Sequence, residues 1–245
     1  MSHRFLPDWD GVILALSERR HGVMSFNRHK RSEVAQNRRS FLSEMGLELD
    51  NCMGAELVHG DRVALVDASK RGGGAAGRDG RIPKTDALIT AQPGLILTTT
   101  HADCAPIYFY SARRRAVGLA HAGWRGILAG LPCKVVEAMN THFGCAPDEL
   151  KIAIGPTICV EHYPVGLEVA DPFKEHFGQE VLVRFVNRAH LDLARAILHD
   201  LASAGVPASN VALPMACTYC ETRLSSWRRD GKAAQPMLAL IVLTF

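Results

Sequence analysis

Between residues 86 and 122 the chain presents four short apolar runs, and they constrain the fold more than any other feature. The runs are ALIT, GLILTTT, APIYFY and AVGLA. Each is rich in aliphatic, β-branched or aromatic residues, each is too short for a buried helix, and turn-forming residues separate them. That is the pattern of strands buried within a sheet. Arg113-Arg114-Arg115 lies between the last two runs and reads as the solvated tip of a hairpin. The strand ends lead into polar residues: GLILTTT runs into HADC, and AVGLA runs into HAGWRG.

The flanking segments alternate between strand and helix patterns. The run from Gly11 to Leu16 and the segments KIAIGPTIC, VALPMAC and MLALIVLTF read as strands. AELVHGDRVALVDA reads as a strand or hairpin around His59-Gly60-Asp61. Helical periodicity covers residues 33–46, ILAGLPCKVVEAMNTHFG, VGLEVADPFKEHFG and HLDLARAILHDLASAG. Gly46 and Gly205 are the expected stops, and Pro132 sits near the first turns of its helix or kinks it. RGGGAAGRDG, residues 71–80, lacks the preceding strand and following helix of a phosphate-cradling loop, and is expected to be a mobile loop. Strands and helices intermix with hairpins, so the expected architecture is an α+β fold with mixed sheets, in one domain over residues 1–245.

Composition narrows the function class. A chain of 245 residues with 47% hydrophobic and 22% charged residues is globular, which excludes disordered, collagenous and coiled-coil proteins. The net charge of +3 is small and the basic residues are dispersed, so no nucleic-acid partner is expected. No apolar stretch approaches the ~18 residues of a membrane span, and MSHRFLPDWD lacks a signal-peptide pattern. Seven cysteines, an odd number in a chain too large to need bridges, point to free thiols in a reducing, cytoplasmic compartment.

Three residues stand out by position: His59, Cys104 and His121 each follow a strand-like run. Two imidazoles and a thiolate suit Zn²⁺, and three protein ligands leave the fourth tetrahedral position open for water. The same residues also suit a thiol nucleophile, Cys104, with a histidine base. Spacing does not separate the two, because the residues lie far apart in the chain. Cys217 and Cys220 form a C-x-x-C, and Cys159 and His162 a C-x-x-H. Neither motif has a second pair nearby, so each is expected to be structural. In an extended HADC segment His101 points away from Cys104 and is not a co-ligand. Cys52, Cys133 and Cys145 read as small apolar residues.

The strings LVHGDRV, TDALIT, HADCAPIYFY, VGLAHAGWRG, AIGPTICVEHYPVG, HLDLARAI, ACTYC and SSWRRDG occur in one order. In that order the chain resembles the laccase-domain (multicopper polyphenol oxidoreductase-like, YfiH-like) family over residues 21–245. The resemblance implies a fold similar to a cysteine-dependent toxin deamidase domain, with mixed sheets flanked by helices. It implies a zinc held by His59, Cys104 and His121, which are also the expected catalytic residues. It implies phosphorolysis of adenosine, inosine, guanosine and methylthioadenosine, with phosphate as co-substrate, and deamination of adenosine. Arg125, Arg228, Arg229, Asn37 and Arg38 are the expected substrate or phosphate contacts; Asp86 matches a family position without an assigned role. The expected partners are small purine nucleosides, without nucleic acid or membrane, and the chain is expected to act as a monomer.

Eleven histidines without a His-x-His pair do not suit a multinuclear copper centre. One His₂Cys site also takes Cu²⁺, which outcompetes Zn²⁺ at most such sites, so a polyphenol oxidase activity is expected only from copper loading. The chain departs from the family pattern at Leu57, where Gln is usual, at Cys159, where Gly is usual, and at Pro164, where Glu is usual. It also lacks a usual Gly-Arg pair before the last strand. These departures bear on substrate preference and rate more than on metal binding. The alternative functions are a Cys104–His hydrolase and a protein carrying a non-catalytic metal.

Overall fold

The apolar runs are buried along nearly all their length because both faces of the sheets they form are covered. The computed structural model describes residues 5–27, 29–185 and 188–244. In chain order the strands are β1 (Val12–Leu16), β2 (Cys52–Gly54), β3 (Val63–Leu65), β4 (Ala87–Thr90), β5 (Ile96–His101), β6 (Ala105–Ser111) and β7 (Ala116–Ala122). They continue with β8 (Lys151–Ile154), β9 (Pro164–Val165), β10 (Leu182–Phe185), β11 (Arg188–Leu191), β12 (Val211–Ala212) and β13 (Met237–Leu243). The helices are α1 (Arg31–Ser43), α2 (Trp124–Leu128), α3 (Leu131–Phe143), α4 (Leu167–Phe177), α5 (Leu193–Ser203) and α6 (Trp227–Asp230).

Two sheets stack face to face. One has the order β1-β13-β5-β2 and the other β12-β8-β6-β7-β4-β3; both mix parallel and antiparallel neighbours. Alternate residues divide between the layers, as the two-residue period of a strand requires. Leu14, Leu97, Ile241, Leu88, Tyr108 and Leu119 fill the space between the sheets. On the opposite faces, Ile96, Leu238 and Leu240 pack on Phe41 and Leu42 of α1. Ile89, Phe109 and Ile152 pack on Leu131, Val135, Met139, Phe173 and Ile197 of the helices α3 to α5. The result is a helix–sheet–sheet–helix sandwich, which agrees with the expected mixed sheets flanked by helices. A small antiparallel sheet, β10-β11-β9, lies to one side.

Several local expectations need correction. AELVHGDRVALVDA is neither one strand nor a hairpin: only Val63–Leu65 is a strand, and it pairs parallel to β4. The stretch before it is held as a loop, because the Asp86 carboxylate takes up the backbone N–H groups that a ladder would have used. Residues 71–80 are not a free surface loop. Ala75 is buried in the α1-side core, and the Arg38 guanidinium clamps the carbonyls of Gly74 and Ala75 at 2.8 and 3.1 Å. The helix expected from Ile127 onward is two helices, broken at Gly130, whose φ of 76° is left-handed. Pro132 occupies the first turn of α3, where its missing N–H costs nothing. VALPMAC contributes only the two-residue β12.

Candidate metal centre and active site

The chain crosses from one sheet to the other through three residues, 102–104. His101 ends β5, and Cys104 immediately precedes β6. His121 lies near the end of β7, directly beside β6. His59 comes from the loop before β3, where it adopts a left-handed φ of 60°. This places His59, Cys104 and His121 together: their ligand atoms all lie within 4.8 Å of one another, and the two imidazoles meet edge to face with centroids 4.8 Å apart.

Asp86, fully buried just ahead of β4, organises the cluster. Its Oδ1 accepts a hydrogen bond from His121 Nδ1 at 2.9 Å and from the His59 backbone N–H at 2.9 Å. Its Oδ2 accepts from the N–H groups of Val58 and Gly60 at 3.1 and 2.8 Å. Burial alone would raise the Asp86 pKa, but the bonds from His121 and the backbone hold it below the usual carboxylate value. One carboxylate thus shapes the His59 loop and fixes the tautomer of His121, leaving Nε2 to face the cluster.

Two glycines of HAGWRG explain their positions sterically. A Cβ on Gly123 would stand 3.0 Å from both the Cys104 sulfur and His59 Cδ2. A Cβ on Gly126, in α2, would come within 2.8 Å of the Gly60 carbonyl. The helix can close on the His59 loop only without those side chains.

The electrostatics favour a charged pair. Burial opposes ionisation of Cys104, but His121 and hydrogen bonds from both histidines outweigh it and bring the thiol down to about 6. Burial likewise opposes charge on His121, yet Cys104 and Asp86 push it up to about 9. A thiolate between two imidazoles is the donor set that Zn²⁺ accepts, and the carboxylate behind His121 is the usual outer partner of a metal-binding histidine. These residues therefore fit a zinc ion. His101 stays outside the donor group: Nε2 lies 2.7 Å from Thr99 Oγ1 and Nδ1 lies 3.1 Å from the Cys104 carbonyl oxygen.

The other expected contacts fall into two sets. Arg125 is exposed, with its guanidinium 4.2 Å over the Trp124 ring, and among the described residues its side chain makes no hydrogen bond or ion pair. Arg228 reaches over Tyr163 and donates to the Pro164 carbonyl at 3.0 Å, on the wall of a cavity of about 400 Å³. In contrast, Arg229 donates to the carbonyls of Thr218, Tyr219 and Leu224 and to Asp230. Arg38 donates to Met24, Gly74 and Ala75, and Asn37 to the Val23 carbonyl. Arg38, Leu57, Val58 and Thr100 are among the residues that line a separate cavity of about 210 Å³.

Asp103 is a residue that sequence reasoning missed. Its φ of 89° is unusual for a side-chain-bearing residue. Its carboxylate accepts hydrogen bonds from Thr218 Oγ1 at 2.6 Å and from the Arg228 N–H at 2.7 Å. Its carbonyl accepts from Thr157 Oγ1 at 2.6 Å. The available signal was its place inside ADC, one residue before a candidate ligand. Tyr163, whose phenol is raised to about 12 by burial and by the Cys104 and Asp103 charges, gave no signal of its own. The structure also brings together the two motifs that spacing left unpaired, Cys159 with His162 and Cys217 with Cys220.

The family model described as "Multi-copper polyphenol oxidoreductase laccase" matches residues 19–244. The chain belongs to this laccase family. Among its relatives, the purine nucleoside phosphorylase YlmD of Geobacillus stearothermophilus is 36% identical over 216 residues, 86% of this chain and 79% of that protein. The adenosine deaminase RL5, from an unknown prokaryotic organism, is 34% identical over 203 residues, 81% of this chain and 77% of its own. The crystal structure of YlmD from Geobacillus stearothermophilus superposes with a TM-score of 0.93 at 32% identity, covering 98% of this chain and 94% of that one. That of the Bacillus licheniformis hypothetical protein YfiH gives 0.93 at 26% identity, over 98% and 96%. The relatives named phosphorylase and deaminase each match over four fifths or more of the chain, and among its described residues no helix of this laccase-family member is long and apolar enough to cross a membrane.

Proposed function

We propose that this laccase-family chain is a zinc-dependent purine nucleoside phosphorylase, acting on adenosine, inosine, guanosine and methylthioadenosine, with adenosine deaminase activity. The observation that carries the reading is the convergence of His59, Cys104 and His121 within 4.8 Å around a carboxylate-oriented imidazole. The relatives named phosphorylase and deaminase supply the substrate class. His59, Cys104 and His121 would hold the zinc, which would supply Lewis-acid activation of water or of a purine leaving group near neutral pH.

The chain's own residues do the rest. Asp86 accepts a hydrogen bond from His121 Nδ1, so that Nε2 is the ring nitrogen turned toward the site. Asp103 fixes the Arg228 backbone, and Arg228 and Arg125 present guanidinium groups to an incoming phosphate, whose oxygens they bind in fork geometry. Arg229, Arg38 and Asn37 position the backbone around the substrate, because their donors are engaged with carbonyls. The enzyme works in a reducing, cytoplasmic compartment, which keeps its seven unbridged cysteines as thiols.

The test is product analysis on zinc-loaded protein given adenosine with and without phosphate. Adenine is expected only with phosphate, and inosine in both conditions. Neither product from metal-replete protein overturns the reading. A second reading, a Cys104 hydrolase, draws on the thiol's depressed value of about 6 beside a protonated imidazole. It requires activity that survives chelation and is destroyed by alkylation of Cys104, whereas the metal reading requires chelation to abolish turnover.

A further inference from the structure

Cys159 and His162 sit on the turn after β8, with His162 closing a single 3₁₀ turn from Val160. Cys217 and Cys220 lie 58 residues further along, between β12 and α6. The fold joins the two turns. Thr157 pairs with Cys217 in a parallel bridge, and the Thr218 N–H donates to the Thr157 carbonyl at 3.1 Å. The donor atoms of the four residues all lie within 4.8 Å of one another. His162 Nδ1 stands 3.2 Å from the Cys159 sulfur and 3.4 Å from the Cys220 sulfur.

We propose that Cys159, His162, Cys217 and Cys220 form a second zinc site, structural in character and separate from the His59–Cys104–His121 centre. The spacing supports this. Two residues between the members of each pair let both ends of a tight turn reach one ion, as in C-x₂-C zinc knuckles. Zn–S bonds of ~2.3 Å and Zn–N bonds of ~2.0 Å at the tetrahedral angle put neighbouring donors roughly 3.5–3.8 Å apart, so small side-chain adjustments separate the observed cluster from a filled tetrahedron.

The Cys217 sulfur accepts the Cys159 backbone N–H at 3.2 Å. The His162 ring is stacked on Tyr219 with centroids 4.3 Å apart and planes 14° apart, which holds Nδ1 toward the sulfurs. Three thiolates and an imidazole are a donor set that suits zinc. With four protein donors no position is left open, in contrast to the three-donor centre.

The position gives the site a task. The turns it would join both grip Asp103, through Thr157 and Thr218. Occupancy therefore braces the loop that carries Cys104.

Metal counting on reduced, chelator-free protein tests this. Wild type is expected to hold about two zinc ions per chain, with Cys104→Ala and Cys217→Ser/Cys220→Ser each retaining about one. One ion in wild type, lost with Cys104→Ala and kept by the double variant, overturns the proposal, as does a metal-free disulfide among these cysteines under reducing conditions. Cobalt loading of Cys104→Ala keeps the test decisive if the double variant fails to fold. Tetrahedral ligand-field bands with thiolate charge transfer support the site, since the single thiolate of the other centre is gone; their absence overturns it.

Discussion

Asp86 shows how much one buried carboxylate can settle. Its two oxygens accept four hydrogen bonds, three from consecutive backbone N–H groups and one from a candidate metal ligand. Replacing it with Asn keeps the size but removes the charge that holds His121 Nδ1–H. Asp86→Asn is expected to weaken zinc binding about 10–100-fold, measured by competition with a chromophoric chelator. Unchanged affinity would mean that the residue only closes the loop. The three residues that converge were legible in the sequence, since each follows an apolar run. The role of Asp86 was not, because nothing in TDALIT says that the carboxylate turns back onto residues 58–60. The four-residue sulfur–imidazole cluster was illegible for a related reason. Its two halves are each familiar at short range, and only the β8 to β12 pairing brings them into register.

At the scale of elements, long periodic segments matched expectation, and short ones did not. α1, α3, α4, α5, β5, β6, β7 and β13 all lie where the apolar pattern put them, because each buries a continuous face. β2, β3, β9 and β12 have two or three residues each, too few for periodicity, and exist only by pairing with a neighbour. Helix α3 starts at Gly130, which has no side chain to cap it. The cap comes from across the helix pair, where buried Asp200 of α5 accepts the Cys133 N–H at 2.9 Å. Burial raises the Asp200 pKa, with the Cys133 N–H opposing in part. A raised carboxylate value means that the charged form costs stability in the folded state. The cost is fully present above the folded pKa and vanishes as pH falls below the unfolded value of about 3.9. Asp200→Asn, which keeps the carbonyl acceptor, is therefore expected to melt higher than wild type at pH 7. The advantage should shrink toward zero near pH 4, as thermal unfolding across pH will show.

For the molecule as a whole, stability rests on the apolar layer between the two sheets. Leu119 and Tyr108 face each other across β7 and β6 in that layer, and both are fully buried. Leu119→Ala removes side-chain volume where rigid strands on both sides limit collapse, and should cost about 2–5 kcal/mol. The readout is a lower urea midpoint at unchanged slope. The passage from β5 to β6 takes the chain from one sheet into the other and carries Cys104 with it. The His59–Cys104–His121 cluster thus lies on a seam, and its dimensions depend on how the two halves of the sandwich seat against each other. A substitution in any of three hydrophobic layers can shift a donor by a fraction of an ångström without altering one residue that a substrate touches. Such a scaffold can be retuned from its interior, and this offers a physical route by which relatives of one sequence family come to carry the names of a phosphorylase and a deaminase.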